Sequence, residues 1–277
     1  MIRIDPAPLL AIAAALIGLK LLVVWLEPRM AFYPIEGVQE SPALAAIPFQ
    51  DVTIPTPDGE RLHGWWLDAP GARAQVVFFH GNGGNLSLWL DAIVGIRQHG
   101  CSVLAIDYRG YGSSTGRPSE NGLYRDAEAS IQIFRDRLHK PGVPVVYWGR
   151  SIGSPVAAHA AGRVPPDALV LESPMPDVRS LLRTNPVLWL LSFLSSYRFP
   201  TARLVRHYSG PLLIIHGDAD SIVPHEAGRQ VFDAAGTSRK TFVTIAGADH
   251  NDLHLVNPRR YWEAIEAFIS GVPTAVR

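Results

Sequence analysis

Beyond residue 74 the chain repeats one pattern, in which a short β-branched or aromatic run is followed by a longer stretch typical of a helix. The predicted strands are Gln75–Phe79, Ser102–Ile106, Val143–Trp148, Ala168–Leu171, Pro211–Ile215 and Lys240–Ile245. Continuous apolar strands separated by helices are typical of a parallel sheet that is buried on both faces. The sequence therefore predicts an α/β fold, with its chemistry at the carboxyl ends of the strands.

The helices and an initial hairpin complete this pattern. Helices are predicted at 86–99, 122–139, 151–162, 225–235 and 258–269. Upstream, Asp51–Thr56 and Arg61–Asp68 read as two strands joined by the turn Pro57-Asp58-Gly59. We expect one domain over residues 31–277. A compact helical cap is expected over about residues 177–208, where an apolar stretch around Trp189 interrupts the alternation.

The N-terminus is a separate apolar segment, because Leu9–Leu26 is interrupted only by Lys20. This run has about the minimum length for a membrane span. Trp25–Met30 lacks the small residues that a signal-peptide cleavage site needs. We therefore predict an uncleaved membrane anchor within residues 1–30, on an undetermined side of the membrane. The alternative is a soluble, cytoplasmic protein in which this helix covers a groove or a dimer partner.

Composition excludes several classes of function. Lys plus Arg and Asp plus Glu both number 25, so no overall field favours nucleic acid. The single cysteine, Cys101, cannot form an internal disulfide and is expected in the core. H-E-x-x-H, C-x-x-C and phosphate-loop patterns are absent, so we expect no metal and no cofactor.

The G-x-S-x-G pattern occurs twice, at Gly149–Gly153 and at Gly112–Gly116. The first copy follows a predicted strand and leads into a predicted helix, whereas no helix directly follows the second. A nucleophile elbow needs this strand-to-helix turn, which lifts the serine above the sheet. We therefore predict Ser151, rather than Ser114, as a nucleophile.

A serine nucleophile needs a base to accept its proton and an acid to orient that base, and both should follow it in the chain. His250 lies in the loop after the last predicted strand. Asp220 and Asp218 both follow the strand Pro211–Ile215, and Asp220 lies deeper in the loop. We predict the triad Ser151, Asp220 and His250, with Asp218 as the rival acid.

Acyl transfer also needs backbone N–H groups that stabilise the developing oxyanion. In a nucleophile-elbow enzyme, one comes from the residue after the nucleophile and one from a loop after an earlier strand. These positions are Ile152 and the glycine-rich loop His80–Asn85, in which we choose Asn82.

Several short segments together resemble a known superfamily. They are Phe32–Pro34, Thr56–Gly59, Leu62–Trp65, His80–Asn85, Asp107–Gly112, the elbow, Glu172–Pro174, Asp218–Asp220 and Val223-Pro224. With them the sequence resembles the α/β-hydrolase superfamily over about residues 50–270, and more narrowly its membrane-anchored ABHD-like and serine aminopeptidase-like members. The resemblance implies the α/β-hydrolase fold, with a mostly parallel sheet between two layers of helices. It also implies Ser151 as nucleophile, Asp220 as acid, His250 as base, and Asn82 and Ile152 as oxyanion donors.

These observations lead us to expect a serine hydrolase that cleaves an ester or thioester of an apolar acyl group through an acyl-Ser151 intermediate. The expected partner is a small-molecule or lipid acyl substrate. A peptidase with the same triad is the nearest alternative, in which Glu172 is a candidate for binding the peptide amine. A membrane-tethered binding module without turnover is the alternative from a different class.

Overall fold

The computed structural model of the protein describes residues 7–273. Its strands are β1 (Tyr33–Pro34), β2 (Gln50–Pro55), β3 (Arg61–Leu67), β4 (Ala74–Phe79), β5 (Gly83–Gly84), β6 (Cys101–Ile106), β7 (Val145–Arg150), β8 (Ala168–Glu172), β9 (Leu212–Gly217) and β10 (Lys240–Ile245). Its α-helices are α1 (Ala7–Ala31), α2 (Leu90–Gln98), α3 (Glu120–Ile133), α4 (Gly153–Arg163), α5 (Val178–Leu181), α6 (Pro186–Leu191), α7 (Thr201–Val205), α8 (His225–Ala234), α9 (Leu253–Val256) and α10 (Pro258–Ser270).

Eight of the strands form one sheet in the order β10-β9-β8-β7-β4-β6-β3-β2. The hairpin β2–β3 is antiparallel and β3 pairs antiparallel with β6, while the remaining neighbours are parallel. The predicted α/β-hydrolase fold, with an initial hairpin and a mostly parallel sheet, is therefore confirmed. The parallel strands all end at one edge, and this edge carries the predicted site residues.

Successive side chains of the central strands point to opposite faces of the sheet. Phe78 and Trp148 lie in the core that α2 and α10 cover, whereas Phe79 and Tyr147 lie in the core that α3 and α4 cover. Burying each side chain of this kind stabilises the fold by about 1.5–3 kcal/mol. Because both faces are buried, the strands read as continuous apolar runs rather than as an alternating pattern.

Helices α2 and α3 differ most from their predicted bounds, for local reasons. The helix predicted at 122–139 begins at Glu120, because Ser119 accepts a hydrogen bond from the backbone N–H of Gly122 and caps the helix. It passes into a π-helical turn at Phe134–Leu138. The helix predicted at 86–99 begins only at Leu90, since the residues before it form consecutive turns.

Helix α1 is the one helix within residues 7–273 that is long and apolar enough to cross a membrane. Its most apolar 18-residue window has a mean hydropathy of 2.6, and none of that window is buried. Length and composition are compatible with the predicted anchor, and a signal sequence meets the same criterion. Residues 1–6 of the predicted anchor region lie outside the described residues.

The insertion predicted at about 177–208 contains α5, α6 and α7. Side-chain hydrogen bonds cap the N-termini of its first two helices, α5 and α6. The Asp177 carboxylate accepts a hydrogen bond from the N–H of Ser180, and the Asn185 amide oxygen accepts from Val187 and Leu188. We refer to residues 177–208 as the cap.

Candidate active site

Ser151 lies at a sharp turn between β7 and α4, with a left-handed backbone φ of 53°. The glycines on both sides allow this turn. A Cβ on Gly149 would lie 2.2 Å from the carbonyl oxygen of Gly153, and one on Gly153 would lie 2.0 Å from that of Phe79. Neither position accepts a side chain without movement of the backbone. The G-x-S-x-G spacing at this site is therefore a steric requirement of the turn.

In the structure, His250 lies within hydrogen-bonding distance of the other two residues predicted as a triad. The Ser151 hydroxyl is 2.9 Å from Nε2 of His250, and Nδ1 of His250 is 2.8 Å from Oδ2 of Asp220. Because Asp220 accepts at Nδ1, the imidazole carries its proton there and leaves Nε2 free to accept the serine proton. His250 and Asp220 are buried, which keeps water away from their hydrogen bond.

The Asp220 carboxylate is held in its ionised form. Burial raises its pKa, but hydrogen bonds from His216 and His250 outweigh burial and hold the pKa of Asp220 well below its ordinary value. Its second oxygen accepts the N–H groups of Ile222 and Val223 at 3.0 and 2.7 Å. The rival Asp218 is exposed and accepts the N–H of Gly247 at 2.6 Å. The structure brings Asp220, and not Asp218, to the imidazole.

The two predicted oxyanion donors lie beside the serine. Among residues 7–273, no acceptor is hydrogen-bonded to the backbone N–H of Asn82 or of Ile152. The loop that carries Asn82 approaches the nucleophile closely, since a Cβ on Gly81 would lie 3.7 Å from Cβ of Ser151. The Tyr111 hydroxyl donates to the Asn82 carbonyl oxygen at 2.9 Å and so holds the peptide bond that follows Asn82. The two N–H groups are thus available to a ligand.

The same loop is also held by the segment that follows α1. Strand β1 pairs in parallel with β5, and the N–H of Ile35 donates to the Gly84 carbonyl oxygen at 2.9 Å. The Asn85 amide donates to the carbonyl oxygens of Ile35 and Gly37. The sequence gives no sign of this pairing, because a two-residue strand carries no periodic signal.

A buried polar cluster lies beneath the nucleophile. Glu172 accepts hydrogen bonds from the Trp148 indole and the Tyr261 hydroxyl, and its other oxygen is 3.6 Å from Nε of Arg150. The Arg150 guanidinium also donates to the His250 carbonyl oxygen at 3.2 Å. Glu172 is buried and does not line the cavity, so it is poorly placed to bind a peptide amine.

A cavity of about 850 Å³ opens above Ser151. Ser151, Ile152, Asn82 and His250 lie in its wall. Most of the remaining wall is apolar and comes from α1 and from the cap. The main contributors are Val23, Leu26, Met30, Leu181, Leu188 and Leu191. The cavity is large enough for a long acyl chain, and its walls suit apolar groups.

The other candidate features have structural roles. The Ser114 hydroxyl donates to the Asp107 carbonyl oxygen and accepts from the N–H of His63, so it ties a loop to β3. Cys101 is buried, and burial raises the pKa of its thiol to about 11. No cluster of potential metal ligands occurs within the described part of the chain.

The strand order, the elbow at Ser151 and the strand-end positions of Asp220 and His250 define the chain as an α/β-hydrolase. It belongs to this superfamily, and the family model described as serine aminopeptidase, S33, matches residues 70–210 and 201–254. Comparison with individual proteins agrees with this assignment.

The uncharacterized protein Rv2307c of Mycobacterium tuberculosis is 32% identical over 272 residues, which cover 97% of this chain and 96% of that protein. Lysophosphatidylserine lipase ABHD12 of Danio rerio is 32% identical over 186 residues, which cover 59% of this chain and 48% of that protein. The esterase Pf2001 of Pyrococcus furiosus superposes with a TM-score of 0.72 at 21% identity, over 87% of this chain and 97% of that one, and shares the fold. These relatives agree with the assignment of the chain to the α/β-hydrolase superfamily.

Proposed function

We propose that the protein is a serine hydrolase that cleaves carboxylic esters or thioesters of apolar acyl groups through an acyl-Ser151 intermediate. The observation that carries this proposal is the chain of hydrogen bonds from Ser151 through His250 to the ionised Asp220, in the wall of an apolar cavity.

The first half of the reaction follows from this geometry. Nε2 of His250 accepts the hydroxyl proton as Oγ of Ser151 forms a bond to the carbonyl carbon. The carbonyl oxygen becomes an oxyanion and accepts hydrogen bonds from the N–H groups of Asn82 and Ile152. The bond to the leaving oxygen or sulfur then breaks, and the imidazolium returns the proton to the departing alcohol or thiol.

The second half repeats these steps with water. His250 accepts a proton from water as the water oxygen bonds to the acyl carbon. The bond between the acyl carbon and Oγ of Ser151 then breaks, His250 returns the proton to Oγ, and the carboxylic acid leaves. Asp220 remains ionised throughout and stabilises the imidazolium in both halves. This chemistry needs no metal or cofactor.

The walls of the cavity favour an acyl chain over a peptide. Glu27 and Asp91 contribute carboxylates to its wall, but Glu27 is already hydrogen-bonded to Ser196. Asp91 is exposed at the start of α2. The apolar side chains of α1 and the cap instead match a substrate with an apolar acyl group.

The test is the turnover of p-nitrophenyl esters from acetate to palmitate by the wild type and by Ser151→Ala. We expect turnover by the wild type, with a maximum at one chain length, and none by the variant. Fluorophosphonate labelling of both proteins separates the alternatives. A wild type that is labelled but cleaves no ester would favour a peptidase, and a folded wild type without labelling would favour a binding module.

A further inference from the structure

Helix α1 changes character along its length. Its first part projects from the domain, with Leu16 and Leu21 exposed by 54% and 66%. Its last part lies against the domain, where Val23, Leu26 and Met30 line the cavity above Ser151. One continuous helix therefore joins a bare apolar surface to the substrate cavity.

The cap helix α6 has two apolar sides. Leu188 and Leu191 line the cavity opposite the α1 residues. Val187 and Leu190 point away from it and are exposed by 67% and 65%, and the partly exposed Phe193 follows the helix. An exposed apolar face on so short a helix is not explained by packing within residues 7–273.

The cap and the end of α1 are held together by polar and aromatic contacts. The buried Glu27 carboxylate accepts hydrogen bonds from the N–H and the hydroxyl of Ser196. The Phe32 and Tyr197 rings meet edge to face at 5.5 Å. These contacts hold the segment that follows α6 against the end of α1.

The end of α1 also carries the residues typical of a membrane interface. The Arg29 guanidinium lies 4.4 Å from the Trp25 ring centroid and donates to the Trp25 carbonyl oxygen. Tryptophan and arginine at the end of an apolar helix are typical of the boundary between lipid and water. This boundary falls where α1 begins to line the cavity.

We propose that α6 lies in the membrane interface beside α1, and that the cavity between them is the path by which a membrane amphiphile brings its acyl chain to Ser151. The occupant of both apolar surfaces is thus the lipid bilayer in which α1 is anchored. This inference rests on the proposed ester hydrolysis and adds the source and the route of the substrate.

The route has an energetic consequence. Moving an acyl chain from a bilayer into water exposes its CH₂ groups, and the free-energy cost rises with each of them. A chain that passes from the bilayer along α1 into the apolar cavity stays among hydrocarbon groups and avoids this cost. Long-chain amphiphiles in a membrane are therefore accessible substrates, although their concentration in water is low.

The first test makes the cavity between α1 and α6 narrower by substitution. Leu26→Trp places a larger ring in the cavity wall, and Leu16→Trp makes the same change on the exposed part of α1. The full chain is reconstituted in phosphatidylcholine vesicles. The readout is the ratio of kcat/KM for p-nitrophenyl palmitate to kcat/KM for p-nitrophenyl acetate. We expect Leu26→Trp to lower this ratio about tenfold, because loss of fit in an apolar pocket has effects of this order. Leu16→Trp is expected to leave it unchanged.

The outcomes of this test separate the two proposals. An unchanged ratio in Leu26→Trp, with both esters cleaved, would overturn the route and leave ester hydrolysis standing. A wild type that cleaves neither ester would overturn both.

The second test measures contact of α6 with lipid. An environment-sensitive fluorophore is attached to Leu190→Cys, to Leu16→Cys as a reference on α1, and to Arg137→Cys at the opposite end of the sheet. Cys101 is buried with a raised pKa, so it does not compete for the label. Lipids that carry a nitroxide quencher should reduce fluorescence at positions 16 and 190 and not at 137. Equal, unquenched signals at 190 and 137 would refute the placement of α6.

Discussion

Replacement of Asp220 by Asn tests the assigned acid most directly. One carboxylate oxygen accepts the N–H groups of Ile222 and Val223, and the other accepts Nδ1–H of His250. The asparagine side chain has only one oxygen. The N–H groups of Ile222 and Val223 hold that oxygen where they now hold Oδ1 of Asp220, so the NH₂ group of the asparagine faces His250.

An NH₂ group in this place reverses the hydrogen bond to the imidazole. Nδ1 of His250 must then accept, so the ring proton moves to Nε2, the atom that has to accept the proton of Ser151. An imidazole held in the wrong tautomer costs about 10⁴-fold in kcat in a serine triad. This loss corresponds to about 5.4 kcal/mol of transition-state stabilisation. The loop should remain folded, because its two backbone hydrogen bonds are preserved.

The assay is kcat for p-nitrophenyl butyrate, with thermal unfolding to establish that each variant is folded. Asp218→Asn is the matched control, because its oxygen can still accept the N–H of Gly247. We expect it to retain activity within about twofold, as exposed substitutions rarely change free energies by more than about 0.5 kcal/mol. Asp220 is not the acid if Asp220→Asn keeps more than about a hundredth of wild-type kcat, or if Asp218→Asn lowers kcat by as large a factor as Asp220→Asn does.

Three further predictions concern the elbow, pH and the oxyanion loop. Gly153→Ala should lower stability by about 1–3 kcal/mol, because its Cβ meets backbone. Gly162→Ala, also in α4 but facing open space, should raise it by about 0.5 kcal/mol, so thermal scans should give opposite shifts. The lowered pKa of Asp220 means that its stabilising effect is present above the unfolded pKa near 4 and is lost below it. Urea unfolding at about pH 6 and pH 3 should therefore show a larger loss of stability for the wild type than for Asp220→Asn; equal losses would contradict this assignment. Tyr111→Phe removes the hydrogen bond to the Asn82 carbonyl and should lower kcat about tenfold with KM nearly unchanged; a change in KM alone would argue against a positioning role.

The sequence predicts the fold and the arrangement of the site because both depend on local patterns. Alternating strands and helices place each strand-end loop at the same edge of the sheet, which brings the loops of Ser151, Asp220 and His250 together. The predicted fold is confirmed. The catalytic roles of these residues, and of Asn82 and Ile152, remain predictions that the activity measurements test.

The contribution of α1 to the cavity could not be predicted in the same way. It depends on contacts between residues far apart in the chain, such as Glu27 in α1 and Ser196 in the cap. The sequence pattern of α1 or of the cap does not indicate that these two segments meet. Glu27 is the one local sign in the sequence, because a charged residue near the end of an apolar helix needs a polar partner when it is buried. The polar cluster of Arg150 and Glu172 is equally non-local.

The placement of the last turns of α1 in the cavity wall matters for protein engineering and for evolution. A soluble version that starts at residue 32 would lose Val23, Leu26, Glu27, Met30 and Ala31, so its chain-length profile would describe a different pocket. Exchange of α1 for an unrelated membrane helix would have the same effect. On the proposed function, changes in the last turns of α1 would alter substrate preference, whereas changes in its exposed first turns would not reach the cavity.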